Sequence, residues 1–116
     1  DSILFGIFFD QRHVGNIKIG PVNWYHLHAD VSYFIGSKEA WGKGLATEAV
    51  GRVTQYAFED LRLNKCNAGV YSGNPGSSRV LEKVGYTLEG CLKKELMGPK
   101  GWEDHLLYGY LREEYS

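Results

Sequence analysis

Apolar and polar positions change period along this chain, and the changes mark its elements. Ile3–Phe9 is apolar and rich in β-formers, Val14–Ile19 is a second extended run, and Gln11–His13 between them predicts an antiparallel hairpin. Gly20–His28 contains Pro21 and two histidines and reads as a loop. In Ala29–Ile35, Val31, Tyr33 and Ile35 alternate with Asp30, Ser32 and Phe34, which predicts a strand with two unlike faces. The period then turns helical. Leu45, Ala49, Val53, Ala57 and Leu61 recur at four-residue spacing, and Ala46, Val50 and Tyr56 widen the stripe, so a helix is expected over about Gly44–Leu61. Glu48 and Arg52 fall one turn apart on its outer side.

Lys65–Tyr71 is the next expected strand. Asn74-Pro75 then opens a second helix, because Asn is a natural N-cap and Pro suits the first turn; Val80, Leu81 and Val84 are its apolar positions and Gly85 stops it. Thr87–Met97 and Trp102–Leu111 read as two strands joined by the turn Gly98-Pro99-Lys100-Gly101. The order β-β-β-α-β-α-β-β predicts an α/β fold with one sheet in a single domain over residues 1–116.

Composition narrows the function classes. With 13 basic and 14 acidic residues the chain has no charge excess suited to nucleic acid or to an anionic membrane surface. No apolar run approaches the roughly 18 residues of a membrane span, and no signal or lipidation motif is present, so a cytoplasmic setting is expected. Cys66 and Cys91 lack metal-ligand spacing and read as buried spectators in strands; no metal site is expected.

The candidate chemistry lies at the junction of the third strand and the first helix, Trp41-Gly42-Lys43-Gly44-Leu45-Ala46-Thr47. Glycines there let backbone N–H groups face a ligand, and a helix start adds partial positive charge, which together suit a phosphate or pyrophosphate. A Walker loop would need Ser or Thr after the lysine, where Gly44 stands, and a dinucleotide fingerprint would need Gly or Ala where Thr47 stands. A tight turn with no ligand is the plain alternative.

Glu39-Ala40-Trp41-Gly42-Lys43-Gly44 resembles the Q/R-x-x-G-x-G/A pyrophosphate loop of the GNAT superfamily of N-acetyltransferases. Asn74-Pro75-Gly76-Ser77-Ser78-Arg79-Val80-Leu81-Glu82-Lys83-Val84-Gly85-Tyr86 is similar to that family's N-x-x-[SA]-x-x-[LFV]-x-E-K-x-G-[FY] segment. Glu89-Gly90 and Trp102-Glu103-Asp104 match the ending of the branch acting on ribosomal-protein N-termini, whereas Asn23–Asp30 resembles the polyamine branch. The family normally begins with a further strand and two helices that this sequence lacks, so the resemblance implies an N-terminally incomplete GNAT domain with mostly antiparallel strands, its acceptor side incomplete or completed by a neighbouring chain or a missing segment, and its uncovered apolar surface favouring either a homodimer or instability.

The resemblance implies acetyl-CoA as donor and a primary amine as acceptor: a protein N-terminus, a polyamine or an amino sugar. Trp41, Gly42, Lys43, Gly44, Leu45 and Ala46, with the Thr47 hydroxyl, would hold the pyrophosphate. The strand edge at Phe34 and Ile35 would run beside the pantetheine arm and offer an N–H to the thioester oxyanion. Ser77 would contact the arm, and a water, Ser77 or another tyrosine would serve as acid for the thiolate; Asn74 is read either as a contact to the arm or as a helix cap. Asp30 is the expected base for the amine, with His26 and His28 as weaker candidates. Trp24, Tyr25, Trp41 and Trp102 read as packing residues, the first two able to line an acceptor pocket. Two positions depart from the family pattern: Glu39 stands at the usual Gln or Arg, and Leu81 at the tyrosine that often reprotonates the thiolate. These departures motivate a rival reading, a non-catalytic acyl-CoA-binding domain.

Overall fold

The chain alternates between pairing with its sequence neighbour and crossing over a helix, and the crossovers set the shape of the sheet. In the computed structural model, which describes residues 2–36, 42 and 44–115, the elements are β1 (Ile3–Phe9), β2 (Arg12–Asn23), β3 (His28–Ile35), α1 (Leu45–Glu59), β4 (Lys65–Tyr71), α2 (Pro75–Val84), β5 (Thr87–Gly98) and β6 (Gly101–Leu111), followed by a 3-10 turn at Arg112–Glu114. The sheet order is β1-β2-β3-β4-β6-β5. Only the β3–β4 pair is parallel, because α1 carries the chain back between those two strands. The expected element order holds.

Both helices pack on one face. α1 buries Val50, Val53, Ala57 and Phe58 against Ile17, Ile19, Ala29, Val31, Cys66 and Ala68 of the sheet. On β3 the alternation is as read from the sequence: Ala29 and Val31 are buried on the helix face, while Asp30, Ser32 and Phe34 point to the opposite, open face. Thr54 is a buried polar residue of α1, and its hydroxyl shares a 2.8 Å hydrogen bond with the Tyr86 hydroxyl. Cys66 sits beside them at 0% exposure, and burial pushes its thiol up to about 12 despite a hydrogen bond with Tyr86.

Several expectations need correction. β2 runs on to Asn23, so Gly20–Asn23 is strand rather than loop. Beyond Ile19 β2 has no rung with β1, and its ladder with β3 is irregular between Ile19 and Val22, so Pro21 removes no required hydrogen bond there. α1 ends at Glu59, short of Leu61, because Arg62 takes a left-handed φ of 60° and turns the chain toward β4. Cys91 is exposed, not buried: β5 is an edge strand with most side chains in solvent. Trp24, Tyr25 and Trp102 are likewise exposed rather than packed. Leu4, Phe8 and Phe34 form apolar positions exposed on the open face of β1 and β3.

Candidate active site

The sheet breaks between its two parallel strands. β3 and β4 pair over His28–Lys65, Ala29–Cys66 and Asp30–Asn67 only. Past Asp30, β3 stays with β2 as far as Ile35, whereas β4 stays with β6 as far as Tyr71. Each strand follows its own antiparallel partner, and a cleft opens between them. On the helix side this cleft has a volume of about 610 Å³ and is bordered by Tyr33, Phe34 and Ile35 of β3, the start of α1, and the first turns of α2. A smaller groove of about 330 Å³ between β1 and α1 is predominantly apolar, bordered by Phe5, Ile7, Leu45, Ala49 and Tyr56, with Glu48 and Arg52 at its side. It offers no comparable convergence of polar groups.

The start of α1 is built from backbone. Gly44 is its N-cap at φ 75° and makes no side-chain hydrogen bond to the first turn, so among the described residues no side chain caps the leading N–H groups of the helix. Gly42 has φ 76°, and a Cβ on either glycine would meet nothing within 4 Å. The left-handed conformation, not crowding, is what calls for glycine at both places. Gly42, Gly44, Leu45, Ala46 and Thr47 all border the cleft. Trp41, Lys43 and Glu39 lie outside the described residues. Across the cleft, Arg79 and Lys83 of α2 also border it, two cations that sequence reasoning did not select. Uncapped amides, positive φ glycines and two cations fit an elongated, anionic ligand such as a CoA thioester.

α2 positions the remaining groups. Asn74 Oδ1 accepts from the Ser77 backbone N–H at 3.2 Å, so Asn74 is the helix cap while also bordering the cleft. Ser77 Oγ in turn shares a 3.0 Å hydrogen bond with the Tyr33 hydroxyl. Tyr33 was not selected from sequence as a site residue; alternation places it inward, but nothing local ties it to a serine 44 positions away. Leu81 is buried in the core, so the side chain at the family's usual tyrosine position faces packing, not a ligand.

The other expected groups are on the open face. Asp30 stands at the last β3–β4 rung, exposed, and among the described residues its carboxylate has no hydrogen-bond partner. His26 and His28 stack with ring centroids 6.1 Å apart near the start of β3. No group of three or more candidate metal ligands occurs among the described residues, and no described helix is long and apolar enough to cross a membrane.

A parallel pair splayed beside a backbone-lined cleft is the framework of an acetyltransferase domain, and the chain belongs to the GNAT acetyltransferase family, whose domain its residues 1–87 match. It is 40% identical over 113 residues to the probable N-acetyltransferase YjcK of Bacillus subtilis, covering 95% of this chain and 62% of that protein. It is 32% identical over 91 residues to the spermidine N(1)-acetyltransferase of Escherichia coli K12, covering 78% of this chain and 48% of that one. The crystal structure of spermidine/spermine N-acetyltransferase SpeG from Vibrio cholerae, in complex with manganese ions, superposes with a TM-score of 0.89 at 26% identity, covering 98% of this chain and 67% of that one. The chain thus spans about half to two thirds of the length of these curated relatives.

Proposed function

We propose that this chain transfers the acetyl group of acetyl-CoA directly to a primary amine of a polyamine, a protein N-terminus or an amino sugar. The observation that carries this reading is the cleft itself: a strand break that admits an extended arm, with the glycine-lined start of α1 at one end and the Tyr33–Ser77 hydroxyl pair beside it. Bound there, a CoA thioester supplies an acetyl group activated toward amines. The amides of the α1 start and Arg79 and Lys83 would hold its phosphates, and the edge of β3 at Phe34 and Ile35 would flank its arm. Tyr33 and Ser77 would hand a proton to the departing thiolate, a task left open by Leu81. Asp30 on the open face would attract a cationic acceptor.

No cysteine borders the described cleft; Cys66 is buried with its thiol pushed up to about 12. That supports direct transfer without an acyl-enzyme, and two free cysteines suit a reducing, cytoplasmic setting. The test is calorimetric titration with acetyl-CoA, CoA and ATP, followed by acetylation assays with spermidine, with a peptide bearing a free N-terminus and with an amino sugar. Binding of both CoA forms but not ATP, with amine acetylation, is the expected result. Binding without transfer to any amine would favour the rival, a non-catalytic acyl-CoA-binding domain, which the buried Leu81 motivates. Absence of binding would remove both.

A further inference from the structure

On the open face of the sheet a histidine reaches over the strand that borders the break. His105 of β6 stands opposite Tyr71 of β4, but its ring leans back over Gly69, and a Cβ on Gly69 would collide with His105 Nε2. Gly69 lies two residues past Asn67, where β4 has already parted from β3. The missing side chain on the bordering strand is therefore what lets the imidazole extend toward the break. Its other nitrogen is held: His105 Nδ1 lies 2.8 Å from Glu95 Oε1. In the neutral tautomer that donates Nδ1–H to that carboxylate, Nε2 carries the lone pair. Both side chains remain accessible, at 27% and 49% exposure.

Glu95 owes its aim to a bulge. β5 and β6 pair at Leu92–His105 and again at Leu96–Glu103, so Lys93, Lys94 and Glu95 face the single residue Asp104. Lys94 takes φ 51°, and its backbone N–H donates to Asp104 Oδ1 at 3.0 Å. That hydrogen bond, with Lys93 3.6 Å away, holds the Asp104 carboxyl below its usual range. Bulges of this kind re-aim a side chain and are over-represented beside active sites. Here the re-aimed side chain is Glu95.

Resting on the acetyltransferase reading, we infer that His105, oriented by Glu95 and given room by Gly69, is the base that deprotonates the acceptor amine. The imidazole Nε2 takes one proton from the ammonium and later releases it to solvent. The freed nitrogen pair forms the C–N bond to the thioester carbonyl carbon. The C–S bond breaks with its electron pair on sulfur, the nitrogen gives its second proton to solvent, and the thiolate takes one from the Tyr33–Ser77 hydroxyl pair, which solvent reprotonates, leaving one net proton released. His105 is the catalytic residue of this pair and Glu95 a positioning residue. Asp30, exposed with no orienting partner among the described residues, is left with attraction of the cation.

The experiment compares His105→Gln, Glu95→Gln and Gly69→Ala with the unaltered chain, using acetyl-CoA with spermidine and with the free-N-terminus peptide. His105→Gln lowers kcat about 100-fold or more, within the range of a general base, with acetyl-CoA affinity unchanged. Glu95→Gln lowers kcat less and leaves KM for the amine near its original value. In His105→Gly, added imidazole restores part of the lost rate. Independently of turnover, the imidazole 15N signals of His105 respond to spermidine in the unaltered chain, and less so in Gly69→Ala, where the displaced ring still allows folding. Full kcat in folded His105→Gln overturns the inference while leaving the acetyltransferase reading intact. An unaltered chain that binds acetyl-CoA yet acetylates neither of these amines nor an amino sugar overturns both.

Discussion

The Tyr33 hydroxyl lies 3.0 Å from Ser77 Oγ, joining the last inward positions of β3 to the first turn of α2 across the cleft. This contact places a phenol beside the break in the sheet, in a chain whose Leu81 is buried at the position where its family often carries a tyrosine. On the proposed reading, this hydroxyl pair would supply the proton that a tyrosine at position 81 would otherwise bring.

Replacing Tyr33 with Phe keeps the ring and removes the donor. We expect kcat to fall about tenfold or more, less than a fully required acid would give, because a thiolate of pKa about 8–9 leaves with limited help. Acetyl-CoA affinity stays within about twofold, since the phosphate end is untouched. Steady-state kinetics beside calorimetry checks this; an unchanged kcat would remove Tyr33 from the reaction.

Gly42→Ala tests the backbone cradle. Its Cβ meets nothing within 4 Å in the protein, so the stability cost is confined to the positive φ, roughly 1–2 kcal/mol. A ligand drawn close to that backbone would feel the new methyl group directly. Acetyl-CoA affinity is expected to drop at least about tenfold, roughly 1.4 kcal/mol, while the melting temperature falls only slightly. Retained affinity would mean that the loop does not approach the ligand.

Leu81 is read as a core residue, so Leu81→Ala should destabilise by about 2–5 kcal/mol through transfer and cavity terms. Leu81→Tyr, which places at this position the tyrosine that the family resemblance leads one to expect, overpacks the core by about 1–3 kcal/mol and does not raise turnover. Urea denaturation and kinetics on the two variants separate packing from chemistry. A more active Leu81→Tyr would show that the position faces the ligand after all.

The buried Cys66 sets an alkaline limit on stability. Its thiol is raised from 9.0 to about 12 by burial, so between those values the folded state holds a proton that the unfolded state has lost. Stability is therefore fully present below pH 9.0 and declines as pH rises toward 12. Tyr86, raised by burial as well, acts in the same direction. Cys66→Ala should flatten part of the alkaline slope of unfolding free energy against pH; an identical slope would contradict this assignment.

Asp30→Asn separates attraction from proton transfer. With the carboxylate exposed, its loss is worth about 1 kcal/mol or less, so KM for a cationic amine rises a few-fold. The kcat value changes little if His105 is the base. Strong loss of kcat with constant KM would return that role to Asp30.

Much of this fold was legible in the sequence because it rests on local signals. The four-residue stripe from Leu45 to Ala57 can bury one side only as a helix, Asn74-Pro75 both caps and starts α2, and the alternation from Ala29 to Ile35 sorts two faces of β3. Glycine at 42 and 44 marked a backbone-lined junction because left-handed φ excludes most other residues. What misled was also local: Pro21 suggested a loop, yet a position without a β1 rung tolerates it, and Cys91 reads as buried only if β5 is assumed to be interior.

Pairings between distant segments lay beyond such signals. The sequence by itself determined the order of elements, the inward faces of β3 and of the two helices, and the glycine junction, since these follow from periodicity and backbone conformation within a few residues. Only the tertiary structure decided where β3 and β4 part, that Tyr33 meets Ser77, and that His105 lies with Nε2 over Gly69 and Nδ1 against Glu95. Those relations depend on which strand each neighbour follows and on a three-residue bulge in β5, so they arise from the register of the whole sheet and not from the residues' own preferences.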